Sequence, residues 1–128
     1  MEDLLTLAAA RGLPVVWRDL GGRNGEYRSS GLIVLDPRRP AQTQRVTLAH
    51  ELGHAHYGHR WSDDPRVRER QEAAADRYAA NLLITPAAYA AAERLTGCHA
   101  GALARELAVT ARLVEMWREQ RPAQRRAA

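Results

Sequence analysis

The chain has 128 residues, of which 45% are hydrophobic and 27% charged, so its composition excludes a disordered chain and suits one globular domain. Its formal net charge of +4 is modest and by itself indicates neither a nucleic-acid nor a membrane partner. No apolar run approaches the roughly 18 residues that cross a bilayer, and the acidic start Met1-Glu2-Asp3 is unlike a signal peptide. Cys98 is the single cysteine and cannot form an internal disulfide, so we expect a cytoplasmic protein with no membrane segment.

The N-terminal third is predicted to contain a short helix and a small sheet. The helix covers residues 2–11 and ends at Gly12, because glycine commonly follows the last helical turn. Three short runs rich in β-branched and aliphatic or aromatic residues are the predicted strands: 15–17, 27–29 and 32–35. The glycine-rich residues 21–25 predict a turn, and Gly31 separates the last two runs, so a sheet of two or three strands is expected.

The rest of the chain is predicted to be helical. Its helices cover about 42–57, 65–83, 86–95, 102–108 and 111–120. Asp64 before Pro65 is a good start signal, because the first caps the helix and the second suits its first turn. Thr110 is a predicted cap of the last helix. We therefore expect an α+β fold in a single domain over residues 1–121, with a mostly helical C-terminal half, and a flexible tail over 122–128.

One predicted helix carries the sequence His50-Glu51-Leu52-Gly53-His54, an H-E-x-x-H motif. Residues four apart lie on one face of a helix, so both imidazoles can reach one zinc ion, and the glutamate can face a water on it. Apolar residues occupy the opposite face. The motif would arise by chance in roughly one chain of this length in a hundred, so the rest of the chain must support it.

A catalytic zinc site needs a third protein ligand, and three candidates compete for this role. His59 follows Gly58 immediately, which leaves no room for the turn that would bring it back to the metal. Cys98-His99 suits zinc chemically, but nothing in the local pattern connects this pair with the motif.

Glu72 is the preferred third ligand. It lies 18 residues after His54, across a turn-rich loop and near the start of the next helix. Asp76 follows it by four residues on the same helical face, where it can accept the second N–H of a ligand histidine. We therefore predict Glu72 as a ligand and Asp76 as a residue that orients a ligand.

Two segments closely resemble the motifs of the ImmA/IrrE family of metallopeptidases. Residues 45–54 read RVTLAHELGH, and residues 72–86 read EAAADRYAANLLITP. The sequence departs from the family pattern at Ala74, Tyr78 and Thr85, none of which is a proposed ligand. The resemblance implies a compact gluzincin-like fold, in which the small N-terminal sheet packs on the helix that carries H-E-x-x-H.

The resemblance also implies a function. A zinc metalloendopeptidase of this family is expected to cleave a helix-turn-helix repressor, encoded nearby, of a mobile element or stress regulon. With zinc on His50, His54 and Glu72, Glu51 would take a proton from the attacking water and pass it to the leaving amine. A substrate peptide could add as a strand to the sheet near residues 27–35. Four side chains remain candidates for holding the oxyanion: Tyr27, His56, Tyr57 and Tyr78.

The alternative is a zinc-stabilised regulator that is not a protease and acts by protein or DNA binding. Residues 103–120 have the spacing of a helix-turn-helix. However, Leu113, Val114 and Trp117 form an apolar stripe in the second helix, which favours packing or a protein partner over direct nucleic-acid binding. A structural zinc site usually has four protein ligands and no use for Glu51, so catalysis is the preferred interpretation.

Overall fold

The computed structural model describes residues 1–121, which form six helices and a three-stranded sheet. In chain order the elements are α1 (Glu2–Ala10), β1 (Val15–Trp17), β2 (Gly25–Tyr27), β3 (Ile33–Leu35), α2 (Ala41–Tyr57), α3 (Pro65–Leu83), α4 (Pro86–Thr96), α5 (Ala100–Leu107) and α6 (Ala111–Glu119). The predicted α+β class is therefore confirmed. The described residues form two compact units, one up to Ala75 and one from Asp76 onward. The single domain over 1–121 stays a prediction, and the predicted tail 122–128 lies outside the described residues.

β3 is the central strand of the sheet. The strand order is β1-β3-β2, with β1 parallel to β3 and β2 antiparallel to it. Val34 pairs with Val16 on one side and with Glu26 on the other. All three residues of β3 are fully buried, which explains why this strand is a continuous apolar run instead of an alternating one.

The second strand lies two residues earlier than the sequence predicted, at Gly25–Tyr27 instead of 27–29. The backbone N–H of Arg28 donates to the carbonyl of Leu32 (2.9 Å), and that of Gly31 donates to the carbonyl of Arg28 (2.8 Å). Gly31 has a φ of +100°, which glycine adopts without the steric cost of a Cβ. Residues 28–31 therefore form the connection between β2 and β3, not part of a strand.

Helix α2 packs against β2 and β3, as the predicted arrangement required. Leu48 and Leu52, one turn apart on α2, are fully buried, and burial of each leucine contributes about 1.5–3 kcal/mol to folding. The helix ends at Gly58 in the left-handed conformation (φ 64°). The loop to α3 follows Gly58. Because one side of α2 is buried in this core, the side of the helix that carries the histidines is fixed relative to β2 and β3.

The second unit has its own core, built from the rest of α3 and from α4, α5 and α6. The indole N–H of Trp117 donates to the carbonyl of Ile84 (3.0 Å), and its ring stacks on Tyr89 with centroids 4.4 Å apart. Thr85 and Thr110 cap α4 and α6 through hydrogen bonds from backbone N–H groups, as predicted for Thr110. Among the described residues, no helix is long and apolar enough to cross a membrane.

Candidate metal centre

His50 and His54 lie one turn apart on α2 and converge through the same ring nitrogen. Their Nε2 atoms are 3.1 Å apart, and the two rings meet edge to face with centroids 4.7 Å apart. Each side chain is mostly buried, with 18% of His50 and 12% of His54 exposed. The four-residue spacing between the histidines therefore lets the Nε2 lone pairs of both imidazoles point to one position, as the motif predicted.

Glu72 of α3 approaches both histidines. Its Oε2 lies 2.8 Å from Nε2 of His50, and its Oε1 lies 3.3 Å from Nε2 of His54. Hydrogen bonds with these two imidazoles hold the pKa of the Glu72 carboxyl well below its usual range. The glutamate side chain is 59% exposed, so this cluster is open to water and to a ligand from one side.

The separations of these atoms fit a divalent ion such as zinc. Bonds of about 2.0–2.1 Å in a tetrahedral arrangement place neighbouring ligand atoms about 3.3–3.4 Å apart. The nitrogen and oxygen atoms of His50, His54 and Glu72 are separated by 2.8–3.3 Å, so a slight expansion would accommodate the ion. Two imidazoles and one carboxylate also form a donor set of catalytic zinc sites, which keep a fourth position for water or substrate.

Glu51 lies beside this cluster but deeper in the protein. It is only 6% exposed, and one of its carboxylate oxygens lies within 4.8 Å of a ring nitrogen of each of His50 and His54. Burial raises the pKa of Glu51, while the nearby histidines act in the opposite direction. Glu51 is thus a second carboxylate beside the two histidines, and it is buried whereas Glu72 is exposed.

Strand β2 passes directly over this carboxylate at Gly25. A Cβ built on Gly25 would lie 3.4 Å from Oε2 of Glu51 and would overlap Cγ2 of Thr47. The strand approaches α2 this closely because Gly25 has no side chain. Sequence reasoning missed this residue, because it was interpreted as part of a glycine-rich turn.

Two residues of β2 direct their backbone groups away from β3. Hydrogen bonds from Asp36 N–H to Asn24 O (3.0 Å) and from Arg28 N–H to Leu32 O (2.9 Å) alternate along the antiparallel pair. In such a ladder the intervening residues, here Gly25 and Tyr27, turn their N–H and C=O groups toward the other edge. That edge is the outer edge of the three-stranded sheet.

His59 contacts His54 on the side away from the cluster. The two Nδ1 atoms are 2.9 Å apart, whereas Nε2 of His54 faces His50 and Glu72. The ring of His59 also stacks on Tyr57, with centroids 5.4 Å apart and planes 22° apart. Burial and the neighbouring His54 lower the pKa of His59. Sequence reasoning considered this residue only as a metal ligand and did not foresee a contact with Nδ1.

Other candidates from the sequence have different surroundings. Oδ2 of Asp76 accepts a hydrogen bond from Nε of Arg112 (2.7 Å), and the predicted contact of Asp76 with a ligand histidine stays a prediction. Cys98 is exposed, and Nδ1 of His99 caps α5 by accepting from the N–H of Ala102. The four candidates for holding the oxyanion stay open: Tyr27, His56, Tyr57 and Tyr78.

Comparison with protein families gives a match that covers this site. The model of the IrrE N-terminal-like domain, peptidase family M78, matches residues 8–116 and so includes both motifs. No curated protein matches the chain at a significant level. Together with the H-E-x-x-H helix, the family supports a metallopeptidase-type function and a divalent metal at His50, Glu51 and His54. Because the match spans most of its length, the chain belongs to the IrrE N-terminal-like peptidase family M78.

Proposed function

We propose that the protein is a zinc-dependent metalloendopeptidase in which His50, His54 and Glu72 hold the metal and Glu51 is the general base. The observation that carries the proposal is the meeting of two imidazole nitrogens and one carboxylate within 3.3 Å, beside a buried second carboxylate. A structural zinc site would have no use for the second carboxylate. Asp76, one turn after Glu72 on α3, is proposed to orient a ligand histidine.

The reaction divides its tasks between the metal and Glu51. Zinc, when bound, would lower the pKa of a coordinated water to about 7 and polarise the substrate carbonyl. Glu51 accepts the proton of the attacking water and then donates it to the amine that leaves. A raised pKa suits this double task, because the carboxylate must hold the proton between the two steps.

The outer edge of β2 is the proposed docking site for the substrate backbone. An extended peptide can hydrogen-bond with the backbone groups of Gly25 and Tyr27, which point away from β3. The close approach of Gly25 to Glu51 would then bring the scissile bond to the general base. Recognition through backbone groups fits an endopeptidase, since an internal segment of a chain can bind in this way.

We further propose that the substrate is a DNA-binding helix-turn-helix repressor encoded nearby, which controls a mobile element or a stress response in the cytoplasm. The support for this substrate class is the resemblance of residues 45–54 and 72–86 to the ImmA/IrrE motifs. The site is compatible with a protein substrate, because it is open at Glu72 and flanked by a strand edge.

Direct DNA binding by the C-terminal helices is the less favoured alternative. Helices α5 and α6 together carry three arginines and three glutamates, so they have no excess of positive charge for a phosphate backbone. Within the second unit, Arg112 pairs with Asp76, and Arg118 donates to the hydroxyl of Tyr89. These two guanidinium groups are thus engaged in contacts that stabilise the unit.

The test is a cleavage assay on the helix-turn-helix regulator that is encoded nearest to this protein. The zinc-loaded protein and its Glu51→Gln variant are incubated with the regulator, and the products are measured by mass spectrometry. A single defined cut made only by the parent protein would support the proposal and locate the scissile bond. An intact regulator bound equally by both proteins would instead favour a zinc-stabilised regulator that acts by binding.

A further inference from the structure

We propose that His59 is a positioning residue for the metal centre: it accepts a hydrogen bond from Nδ1–H of His54 and thereby orients Nε2 of that histidine. This inference rests on the proposed function, because it assumes that His54 binds the metal. It assigns to His59 a role that differs from the direct ligation considered for it on the basis of sequence.

The distance between the two rings determines how their protons are arranged. A neutral imidazole has one N–H and one lone pair, so a His54 that offers its Nε2 lone pair to a metal carries its proton on Nδ1. That proton needs an acceptor, and Nδ1 of His59 lies 2.9 Å away. His59 must then carry its own proton on Nε2. Only this arrangement satisfies both rings and leaves Nε2 of His54 directed toward His50 and Glu72.

The end of α2 holds His59 in this place. Gly58 adopts the left-handed conformation and donates its N–H to the carbonyl of Ala55 (3.1 Å), while the N–H of His59 donates to the carbonyl of His54 (3.0 Å). These two hydrogen bonds form the Schellman pattern, which reverses the chain at a helix end. The chain therefore returns to the Nδ1 side of His54, whereas the sequence analysis considered only a turn that would bring His59 to the metal itself.

Stacking on Tyr57 restrains the remaining freedom of the His59 ring. The two rings are nearly parallel, 22° apart, with centroids 5.4 Å apart. Tyr57 is the last residue of α2, so the ring that supports His59 belongs to the same helix as His54. The turn and the stacked ring together fix both the position and the plane of His59, as a residue that orients a metal ligand requires.

The experiment measures zinc affinity, by competition with a chromophoric chelator, for the full-length parent protein and three variants. His59→Ala removes the acceptor, whereas His59→Asn retains one, since the amide oxygen can occupy the place of Nδ1. Arg60→Gln is the control, because it changes the exposed side chain next to His59. We expect His59→Ala to bind zinc about 10–100-fold more weakly, His59→Asn to recover most of the loss, and Arg60→Gln to resemble the parent.

Two further measurements separate positioning from packing. Thermal unfolding of the metal-free proteins should give the same midpoint for His59→Ala and His59→Asn. Among the cobalt-substituted proteins, only His59→Ala should have a visible spectrum that differs from that of the parent. Zinc binding by a folded His59→Ala variant within twofold of the parent would overturn the inference. Equal weakening of both variants, with equal loss of thermal stability, would also overturn it, because that result indicates packing.

The same titrations distinguish this inference from the proposed function. If the parent protein binds no zinc, or if His54→Ala binds it as tightly as the parent, the metal site itself is refuted and the role of His59 falls with it. If the parent binds one zinc ion and His54→Ala does not, the metal site stands, and the result for His59→Ala alone decides the inference.

Discussion

Gly25 of β2 and Thr47 of α2 are in such close contact that no side chain fits between them. A Cβ on Gly25 would overlap Cγ2 of Thr47 and approach the backbone carbonyl of Val34 to 3.2 Å. The backbone of β2 can therefore lie against the helix beside Glu51, as the proposed docking of a substrate requires. A substitution that adds one methyl group at residue 25 tests this contact.

Gly25→Ala is expected to separate β2 from α2 and to reduce both stability and activity. Excess volume in a packed region usually costs about 1–3 kcal/mol, so the free energy of unfolding should fall by an amount in this range. Urea unfolding measures it, and kcat/KM on a peptide substrate measures the displacement of the strand. Gly22→Ala is the control, because a Cβ at Gly22 meets no atom within 4 Å. Equal effects of the two variants would refute the close approach.

Glu51→Gln is expected to retain zinc and to lose turnover. The amide cannot accept a proton from water, and loss of a general base typically lowers kcat by about 10²–10⁴-fold. Zinc content measured by mass spectrometry should remain one ion per chain. Glu69→Gln, which changes an exposed glutamate of α3, provides the control and should act like the parent. An unimpaired kcat in the Glu51 variant would exclude it as the base.

Removal of Glu72 is expected to weaken zinc binding more than removal of Asp76. Glu72→Ala deletes a proposed ligand, and its loss in affinity should exceed the about 10–100-fold that is typical of residues that only orient a ligand. Asp76→Asn should fall within that smaller range. Because Asp76 also pairs with Arg112, Arg112→Ala is the matched control and should leave the affinity unchanged. A loss in the control as large as that of Asp76→Asn would assign Asp76 to folding alone.

Asp36 is expected to make stability dependent on acid pH. Its fully buried carboxylate accepts hydrogen bonds from Arg38 and from the N–H of Leu20, and Arg38 holds its pKa well below the ordinary 3.8. A carboxyl whose pKa is lower in the folded state stabilises the protein above the unfolded pKa, and the stabilisation is lost as the pH falls below about 4. Urea unfolding at pH 7, 4 and 3 measures this loss.

Asp36→Asn should be less stable than the parent at pH 7, and its free energy of unfolding should change less between pH 4 and pH 3. Asp63→Asn serves as the control, because Asp63 is exposed in the loop before α3. If the parent and Asp36→Asn lose the same free energy between pH 4 and pH 3, the ion pair with Arg38 does not account for the acid sensitivity.

Much of the candidate site follows from regular helical spacing. His50, His54 and Glu51 lie on one long helix, where a period of 3.6 residues determines which side chains are neighbours. Glu72 is predicted as a ligand from its place near the start of the next helix, 18 residues after His54, with Asp76 four residues later. The length of the loop alone does not predict a contact with the histidines. Long, well-capped helices are the elements whose geometry a sequence specifies best.

The features that sequence reasoning missed depend on tertiary contacts. A strand of three residues has too little alternation to locate it, so β2 was predicted two residues late. Gly25 was interpreted as turn material because its role depends on Thr47, which is distant in the sequence. Gly58 directly follows the predicted helix 42–57, but only the structure indicates the direction in which its left-handed conformation turns the chain.

The turn at Gly58 also links the order of a helix end to the metal centre. The carbonyl of His54 accepts a hydrogen bond from the N–H of His59, and the rings of these two histidines are in contact through their Nδ1 atoms. Opening of the last turn of α2 would thus break a backbone hydrogen bond and remove His59 from Nδ1 of a proposed zinc ligand in a single event. A ligand stabilises the states that bind it. Zinc should therefore slow the exchange of the His59 amide hydrogen with solvent, and the slowing should increase with the affinity of zinc for the protein whose last turn is closed.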